Sequence, residues 1–468
     1  MSHPTSTAVS RTNSGGYKTS GGTLYVSKPY RSKSSKTLRA LITFAPRKSH
    51  FDSTNELSGE NEFRGFFSLF WISIFIFTVR VYVRGIESNG RPLNLAFATM
   101  FSQDLLTLAI SDAVLVLSTS LCVPFAFALH KRWINYYWTG LVLQHIYQTA
   151  VLVAAIIWTF NRKWPWVQSG FLTLHSLVMI MKMHSYMSVN GHLQQSEMQS
   201  ELVLRKLRRA TDSVDTHFVP HGLVDHPDEQ ISELAREYSD LQSELTSLGP
   251  LHVTWPNNMT LENFVIYQLM PTLVYELEYP RTERIRPIYV FEKTAATFGT
   301  FALLYTVTET FILPYTPTYN SSILRLLLDL ALPFMIAYLL LFFIIFECIC
   351  NAFAELSFFA DRQFYEDWVE FDVMGRILEE MEQACYGVSK TRAMFLTFLL
   401  SACVHELVMV IVTKKFRFYL FVLQIVQLPM IFISRIPAVK RNRLLGNIVF
   451  WLGLYAGFPL LCVAYVAY

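Results

Sequence analysis

The feature that most constrains this chain is a series of apolar stretches, each about as long as a bilayer is thick. A helix needs about 20 consecutive apolar residues to cross the roughly 30 Å hydrocarbon layer. Nine stretches approach that length: Phe66–Val83, Leu105–Leu129, Gly140–Phe160, Trp166–Met187, Tyr289–Leu313, Leu330–Cys350, Ala393–Thr413, Phe416–Ile433 and Ile448–Tyr468. Inside lipid each backbone polar group must be satisfied within the protein, which a helix does locally. The pattern therefore predicts an all-α, polytopic membrane bundle of about nine transmembrane helices, and no soluble fold fits it. The first and eighth stretches are short, and the first carries Arg80. Pro124 and Pro333 fall inside stretches, which membrane helices tolerate when neighbours re-satisfy the freed backbone groups. Only 16% of residues are charged, against about 25% in soluble domains. The net charge of +3 gives no reason to expect a nucleic-acid partner.

The polar parts define the organisation. Residues 1–65 are rich in Ser, Thr, Gly and Lys and lack apolar periodicity, so they read as a disordered cytosolic tail. No cleavable signal peptide is expected, since the first apolar run starts only near Phe66. Residues 66–468 then form one membrane domain, with a polar insertion around 194–255. Within the insertion, Ile231, Leu234, Tyr238, Leu241, Leu245 and Leu248 recur at 3-4 spacing, the pattern of an amphipathic or coiled-coil helix. Such a helix packs on its own protein or on a second copy. The stretch Pro256 to Pro287, ending PTLVYELEYPRTERIRP, makes a poor helix and a poor span. It reads as a re-entrant, interfacial or surface segment. The six cysteines, Cys122, Cys348, Cys350, Cys385, Cys403 and Cys462, form no CxxC pair and read as free, buried thiols.

Four of the twelve histidines lie well inside apolar stretches: His145, His175, His184 and His405. His405 is nine residues before the polar boundary at Lys414–Lys415, which places it roughly 13 Å deep at 1.5 Å per residue, near the midplane. An ionisable residue there costs about 2.5–3.5 kcal/mol on insertion scales. It is kept either for chemistry or for structure, here as a His405–Glu406 pair bonded to neighbouring helices. A neutral imidazole in such a place suits a general base acting on a hydroxyl. His405-Glu406 lacks the second histidine of HExxH, so zinc proteolysis is unsupported, and no metal site is expected. There is no GxSxG elbow or Walker A loop. Ser401, one turn before His405, shares a face with it or bonds back to its own helix. Lys182 and His184 in the fourth stretch are substrate contacts, or else snorkelling or satisfied core groups.

The segment NAFAELSFFADRQFYEDW, Asn351 to Trp368, resembles the FYxDWWN signature of the sterol O-acyltransferase branch of the membrane-bound O-acyltransferase family. LHSLVMIMKMHSYMSVNGHL (Leu174–Leu193), PTLVYELEYPRTERIRP with the span after it, SACVHE (Ser401–Glu406) and RNRLLGNIVFWLG (Arg441–Gly453) are similar to further blocks, the last to fungal members in particular. The resemblance covers roughly residues 65–468. It implies transfer of an acyl group from acyl-CoA to a sterol hydroxyl, with His405 catalytic and acyl-CoA a co-substrate, so that no cofactor is expected. It also implies residence in the endoplasmic reticulum membrane and homo-oligomers. The candidate substrate-binding residues are Phe364, Tyr365, Asp367, Trp368, Ser401, Glu406, Lys182 and His184. Phe364, Tyr365 and Trp368 are otherwise interfacial aromatics, and Asp367 a helix cap or a partner of Arg362.

The chain departs from the family where the motif should continue Trp-Asn. Asp367-Trp368 is followed by Val369-Glu370, and Val369 to Lys390 lacks the aromatic-rich run expected before the catalytic span. Two enzymatic readings are open, with a sterol or a diacylglycerol as acceptor. An inactive or mis-spliced family member is a third. A transporter would show inverted repeats or paired broken helices, and neither is visible.

Overall fold

The computed structural model describes residues 17–19, 22–24, 44–52, 55, 64–92, 98–211, 223–224, 226–315, 323–364, 390–434 and 444–448, with scattered positions from 451 to 465. Among them helices dominate. In chain order they are α1 (Arg64–Asn89), α2 (Ala98–Ser102), α3 (Leu105–Ser118), α4 (Cys122–His130), α5 (Leu141–Asn161), α6 (Trp166–Ala210), α7 (Glu229–Glu244), α8 (Leu261–Leu269), α9 (Pro287–Val307), α10 (Ile323–Phe342), α11 (Cys350–Leu356), α12 (Lys390–Thr413) and α13 (Tyr419–Ser434). Two three-residue strands, Tyr17–Thr19 and Gly22–Leu24, pair as a small antiparallel hairpin.

Among the described residues three helical runs are long and apolar enough to cross a membrane: Leu105–His130, Tyr136–Asn161 and Arg325–Leu356. Phe398–Thr413 and Tyr419–Pro429 are apolar but shorter. The first eight stretches predicted as spans are each largely helical, whereas most of the ninth lies outside the described residues. The surface of the bundle is dense with exposed large apolar side chains, such as Leu106, Trp138, Ile288 and Phe291. In water that surface would be a liability; against lipid tails it is matched.

α6 organises the molecule. Its 45 residues rise roughly 68 Å at 1.5 Å each, more than twice the hydrocarbon thickness. Its first half packs against α3, α5 and α12. Its second half leaves the apolar region and is covered by α7. The seam predicted from 3-4 spacing is this contact. Ile231 and Ala235 are buried with Leu207 of α6, and Leu241 and Leu245 are also buried. The helix stops at Glu244, short of the predicted pattern, because Gly249-Pro250 follows and the chain turns back to bridge Thr246 with Thr254. Leu248 is left exposed. Gly191 of α6 is a close approach: a Cβ there would sit 2.2 Å from the Tyr136 ring.

The composition-based tail needs one correction. Residues 44–52 are tied to the far end of the chain: Arg47 is paired with Asp361 at 2.8 Å, and Ser49 and Asp52 are buried. Low hydrophobicity masked this, since the segment is held by ionic and hydrogen bonds, not by an apolar face.

The loop around PTLVYELEYPRTERIRP is a packed core element, not a span. Tyr267, Tyr275 and Tyr279 are buried with Tyr186, Phe264 and Phe359. The Tyr186 and Tyr275 rings lie 4.7 Å apart. Burial raises the Tyr267 and Tyr279 phenols well above their usual pKa, so both stay protonated donors. Asn258, part of a glycosylation sequon, is buried and donates to Asn190 at 3.1 Å and Tyr275 at 2.9 Å; a glycan there is incompatible with this packing. Cys122 and Cys348 are buried free thiols as expected, while Cys403 is exposed and Cys385 lies outside the described residues.

Candidate functional site

α12 carries the residues singled out from SACVHE, and it packs between α6 and α13. Lys414, just past its C-terminus, donates to the Trp164 carbonyl at the start of α6. A Cβ on Gly170 of α6 would touch Val412. The two helices therefore run antiparallel from a shared boundary. His405 lies roughly 13 Å from that boundary along α12.

The His405 side chain is exposed from the bundle surface. Its Nδ1 lies 2.7 Å from the Ser401 backbone carbonyl and 3.3 Å from the Ser401 hydroxyl. A carbonyl only accepts, so Nδ1 carries the proton. In the neutral ring Nε2 then keeps its lone pair, the tautomer that a general base requires. The Ser401 contribution that matters is its main chain. Ser401→Ala is therefore expected to retain activity to within about fivefold (about 1 kcal/mol at most for a secondary hydrogen bond), measured as initial rate of acyl transfer in microsomes.

Glu406 points elsewhere. It is buried and accepts from the amides of Phe418 (2.8 Å) and Phe421 (3.1 Å) and from the Tyr465 hydroxyl at 3.0 Å. It thus satisfies the N-terminal amides of α13, where a carboxylate is favoured. Of the structural alternative considered from sequence, a His–Glu pair bonded to neighbouring helices, Glu406 has this bonding and His405 bonds within its own helix; consecutive helical residues face about 100° apart.

Lys182 and His184 sit apart from His405. Counted along α6 from Trp164 they are about 27 and 30 Å from the shared boundary, about twice as far as His405. The Lys182 ammonium is spent on the Tyr267, Gln268 and Met270 carbonyls at 2.8–2.9 Å, at the C-terminus of α8. This is a cation on the negative end of a helix, within reach of the Tyr267 ring face. All three of its hydrogen bonds go to main-chain carbonyls. Lys182→Met would strand three carbonyls, two of them in buried contacts, and is expected to cost roughly 2–4 kcal/mol, read as a lower melting temperature of the solubilised protein. His184 Nδ1 accepts from the Gln144 amide at 2.8 Å, and Gln144 accepts from the Tyr136 hydroxyl at 3.1 Å. Its ring neighbours His145, with centroids 5.9 Å apart.

Of the FYEDW motif, Phe364 is described and Tyr365, Asp367 and Trp368 lie outside the described residues. Phe364 stacks on Phe359 at 6.2 Å. The residues just before it are fixed by the N-terminal segment. Arg47 binds Asp361 through two nitrogens, at 2.8 and 3.1 Å. The Arg362 amide donates to the Arg47 carbonyl, and Gln363 donates to the Lys48 carbonyl.

The larger ionic cluster beside this strap was not singled out from sequence. Glu355 receives the Arg286 amide (2.6 Å) and guanidinium (3.0 Å) together with Arg362 Nη1. Arg286 also reaches Asp52 at 3.0 Å. Burial works against the Arg286 charge, but hydrogen bonds to Glu355 and Asp52, and their charges, outweigh it and hold its pKa above the ordinary arginine value. Next to it Lys293 pairs with Glu347 at 2.6 Å, and Glu347 accepts from Ser49 at 2.7 Å and Asn351 at 3.3 Å. The available signal was the presence of Lys293 and Glu347 inside predicted spans, where ionisable residues are rare. Attention to histidine alone passed over them. Among the described residues no group of His, Cys, Asp and Glu could hold a metal.

The sequence profile of MBOAT, the membrane-bound O-acyltransferase family, matches residues 384–467, which contain His405. The chain is 31% identical to the probable sterol O-acyltransferase 1 of Schizosaccharomyces pombe, over 91% of this chain and 86% of the relative. It is 30% identical to the sterol O-acyltransferase 2 of Candida albicans, over 91% and 78%. The diacylglycerol O-acyltransferase 1 of Dictyostelium discoideum matches at 29% identity over only 45% of this chain and 37% of the relative. The 463 positions aligned with the Schizosaccharomyces pombe protein exceed by several tens the part of this 468-residue chain that they cover. That relative therefore carries stretches without a counterpart here.

Proposed function

Since the chain belongs to the membrane-bound O-acyltransferase family and is an acyltransferase, we propose that it esterifies a sterol 3-hydroxyl with the acyl group of acyl-CoA. His405 is the general base. Its Nε2 takes the hydroxyl proton as the sterol oxygen bonds to the thioester carbonyl carbon. The tetrahedral adduct collapses with loss of the carbon–sulfur bond, and the same proton passes from His405 to the departing CoA thiolate. The products are a steryl ester and free CoA, with no covalent enzyme intermediate. The observation that carries the reading is His405 on α12 with Nδ1 turned to the Ser401 carbonyl, which leaves Nε2 free as a base, inside the matched family segment. Both the sterol and the acyl tail dissolve in the bilayer, so a base at that depth meets them away from bulk water.

The same reading includes a nine-span topology, multi-pass residence in the endoplasmic reticulum membrane, surrounding lipid and a homo-oligomer. The long coverage of sterol O-acyltransferase relatives favours a sterol acceptor over diacylglycerol. The test offers labelled oleoyl-CoA to microsomes from cells without endogenous activity, with ergosterol, cholesterol and diacylglycerol as acceptors. Steryl ester is the expected product. Triacylglycerol alone would transfer the reading to the second acceptor. No product from protein that is folded and present would favour an inactive family member, a reading motivated by the Val369–Lys390 departure. Sequencing the transcript across codons 365–391 then shows whether a Trp-Asn-containing exon was skipped.

A further inference from the structure

Two hydrogen-bond donors without partners lie where α5 and α6 meet. Gln144 of α5 accepts from the Tyr136 hydroxyl and donates to His184 Nδ1 of α6 at 2.8 Å. In the neutral His184 ring Nε2 therefore carries the proton. That nitrogen has no further hydrogen-bond partner among the described residues. Gln148, one turn along α5 from Gln144, is 6% exposed, and its amide nitrogen is buried without a partner. Buried donors are nearly always matched, so these two point to acceptors that the chain itself does not supply.

Both donors stand on the His405 side of α6. The Gly170–Val412 contact joins α6 to α12. It marks a common level more closely than Lys414, whose long side chain reaches out to Trp164. His405 precedes Val412 by seven residues and His184 follows Gly170 by fourteen. At 100° and 1.5 Å per residue both return to within about 40° of the faces that meet there, and His184 lies about 10 Å farther along than His405. α5 runs antiparallel to α6 across the short connection 162–165. The four residues from Gln144 to Gln148 therefore lead about 6 Å back toward the level of His405. The donors of Gln148 and His184 thus stand about 4 and 10 Å beyond His405 along the bundle. Between these levels the same side of α6 is apolar and open, with Leu174 and Met181 both exposed.

Two N–H donors beside an apolar wall suit an uncharged chain that carries two carbonyls, since a carbonyl oxygen accepts and never donates. The pantetheine arm of acyl-CoA carries two amide carbonyls, five and nine bonds from the thioester carbonyl carbon. At 3.3–3.6 Å for every three bonds of extended chain, they lie about 6 and 10 Å from it. With the thioester at His405 they come level with Gln148 and His184. We propose that Gln148 and His184 bind the pantetheine arm of acyl-CoA, Gln148 at the amide carbonyl nearer the thioester and His184 at the farther one. The CoA head then leaves toward the end of the bundle where α6 continues into its polar half. This rests on the acyl-transfer reading above and adds to it the path of the donor.

The test uses the purified full chain in lipid nanodiscs, labelled oleoyl-CoA, and two competitors. Oleoyl-pantetheine has both amides, whereas the oleoyl thioester of N-acetylcysteamine has only the nearer one. On the unaltered protein oleoyl-pantetheine should compete at least fivefold better, the worth of one hydrogen bond. His184→Phe should erase that preference. Gln148→Leu should weaken both competitors about fivefold while its melting temperature stays level or rises, because a buried donor without a partner is removed; a glutamine kept for structure would lower it. Equal competition by the two thioesters on the unaltered protein, a preference that survives His184→Phe, or wild-type binding by Gln148→Leu would overturn the proposal. The first of these needs no variant, so a misfolded mutant does not blunt the test. Failure of the unaltered protein to bind oleoyl-CoA at all would overturn the acyl-transfer reading together with this one, whereas the other failures leave that reading standing.

Discussion

His405→Ala is expected to lower steryl ester formation in microsomes by about 10²–10⁴-fold, the range for removing a positioned general base. The protein should accumulate normally, because the His405 side chain is exposed and bonded only to its own helix at Ser401. The loss should appear in kcat/KM with little change in the apparent KM for acyl-CoA, since the imidazole acts on the proton in flight and not on the CoA head. His405→Asn should not rescue, as an amide offers no basic nitrogen. Glu406→Gln provides the contrast. Its carboxylate serves the α13 amides and Tyr465, so it should cost stability before it costs chemistry. An undiminished rate in His405→Ala, with the protein present at wild-type level, would remove the general-base assignment.

The bundle itself was legible because lipid imposes one rule everywhere: about 20 apolar residues, helical, with polar boundaries. The α7 seam was legible for a similar reason, since Ile231, Leu241 and Leu245 repeat at the helical period. The spacing of His405 from the Lys414 boundary could be counted along the helix. Facing direction and partner identity did not follow. Nothing in the order His405-Glu406 says that the second residue closes the N-terminus of α13. Nothing in Lys182 says that its ammonium meets three carbonyls of a helix more than 80 residues later in the chain. The N-terminal strap was hidden for a further reason. Arg47, Ser49 and Asp52 look like ordinary polar tail residues until Asp361, Glu347 and Arg286 are brought beside them. Contacts between residues about 230 to 320 apart in sequence leave no local periodicity to read.

Those contacts define the largest stability effect expected outside the α12 site. Glu355 is 0% exposed and is held by Arg286 and Arg362, while Asp52 shares Arg286. Glu355→Ala removes one carboxylate and leaves Arg362, itself 2% exposed, without its anion. Breaking one side of a buried pair costs roughly 3–5 kcal/mol, mostly from the stranded charge and not from the lost bond. The expected result is a sharp drop in the yield of monodisperse protein and in its melting temperature after extraction. The neighbouring pair separates charge from packing. Arg47→Asp or Asp361→Arg alone should destabilise by repulsion. Combining them restores opposite charges across the same gap, so the double variant should recover part of the melting temperature and, with it, acyl transfer. Recovery of activity in step with that pairing is the informative result, because the strap touches residues 359–363 and not α12. A double variant no better than the worse single one would mean that the strap's charges do not couple to each other, and that the segment before Phe364 is held by its main-chain hydrogen bonds, the Arg362–Glu355 pair and aromatic packing.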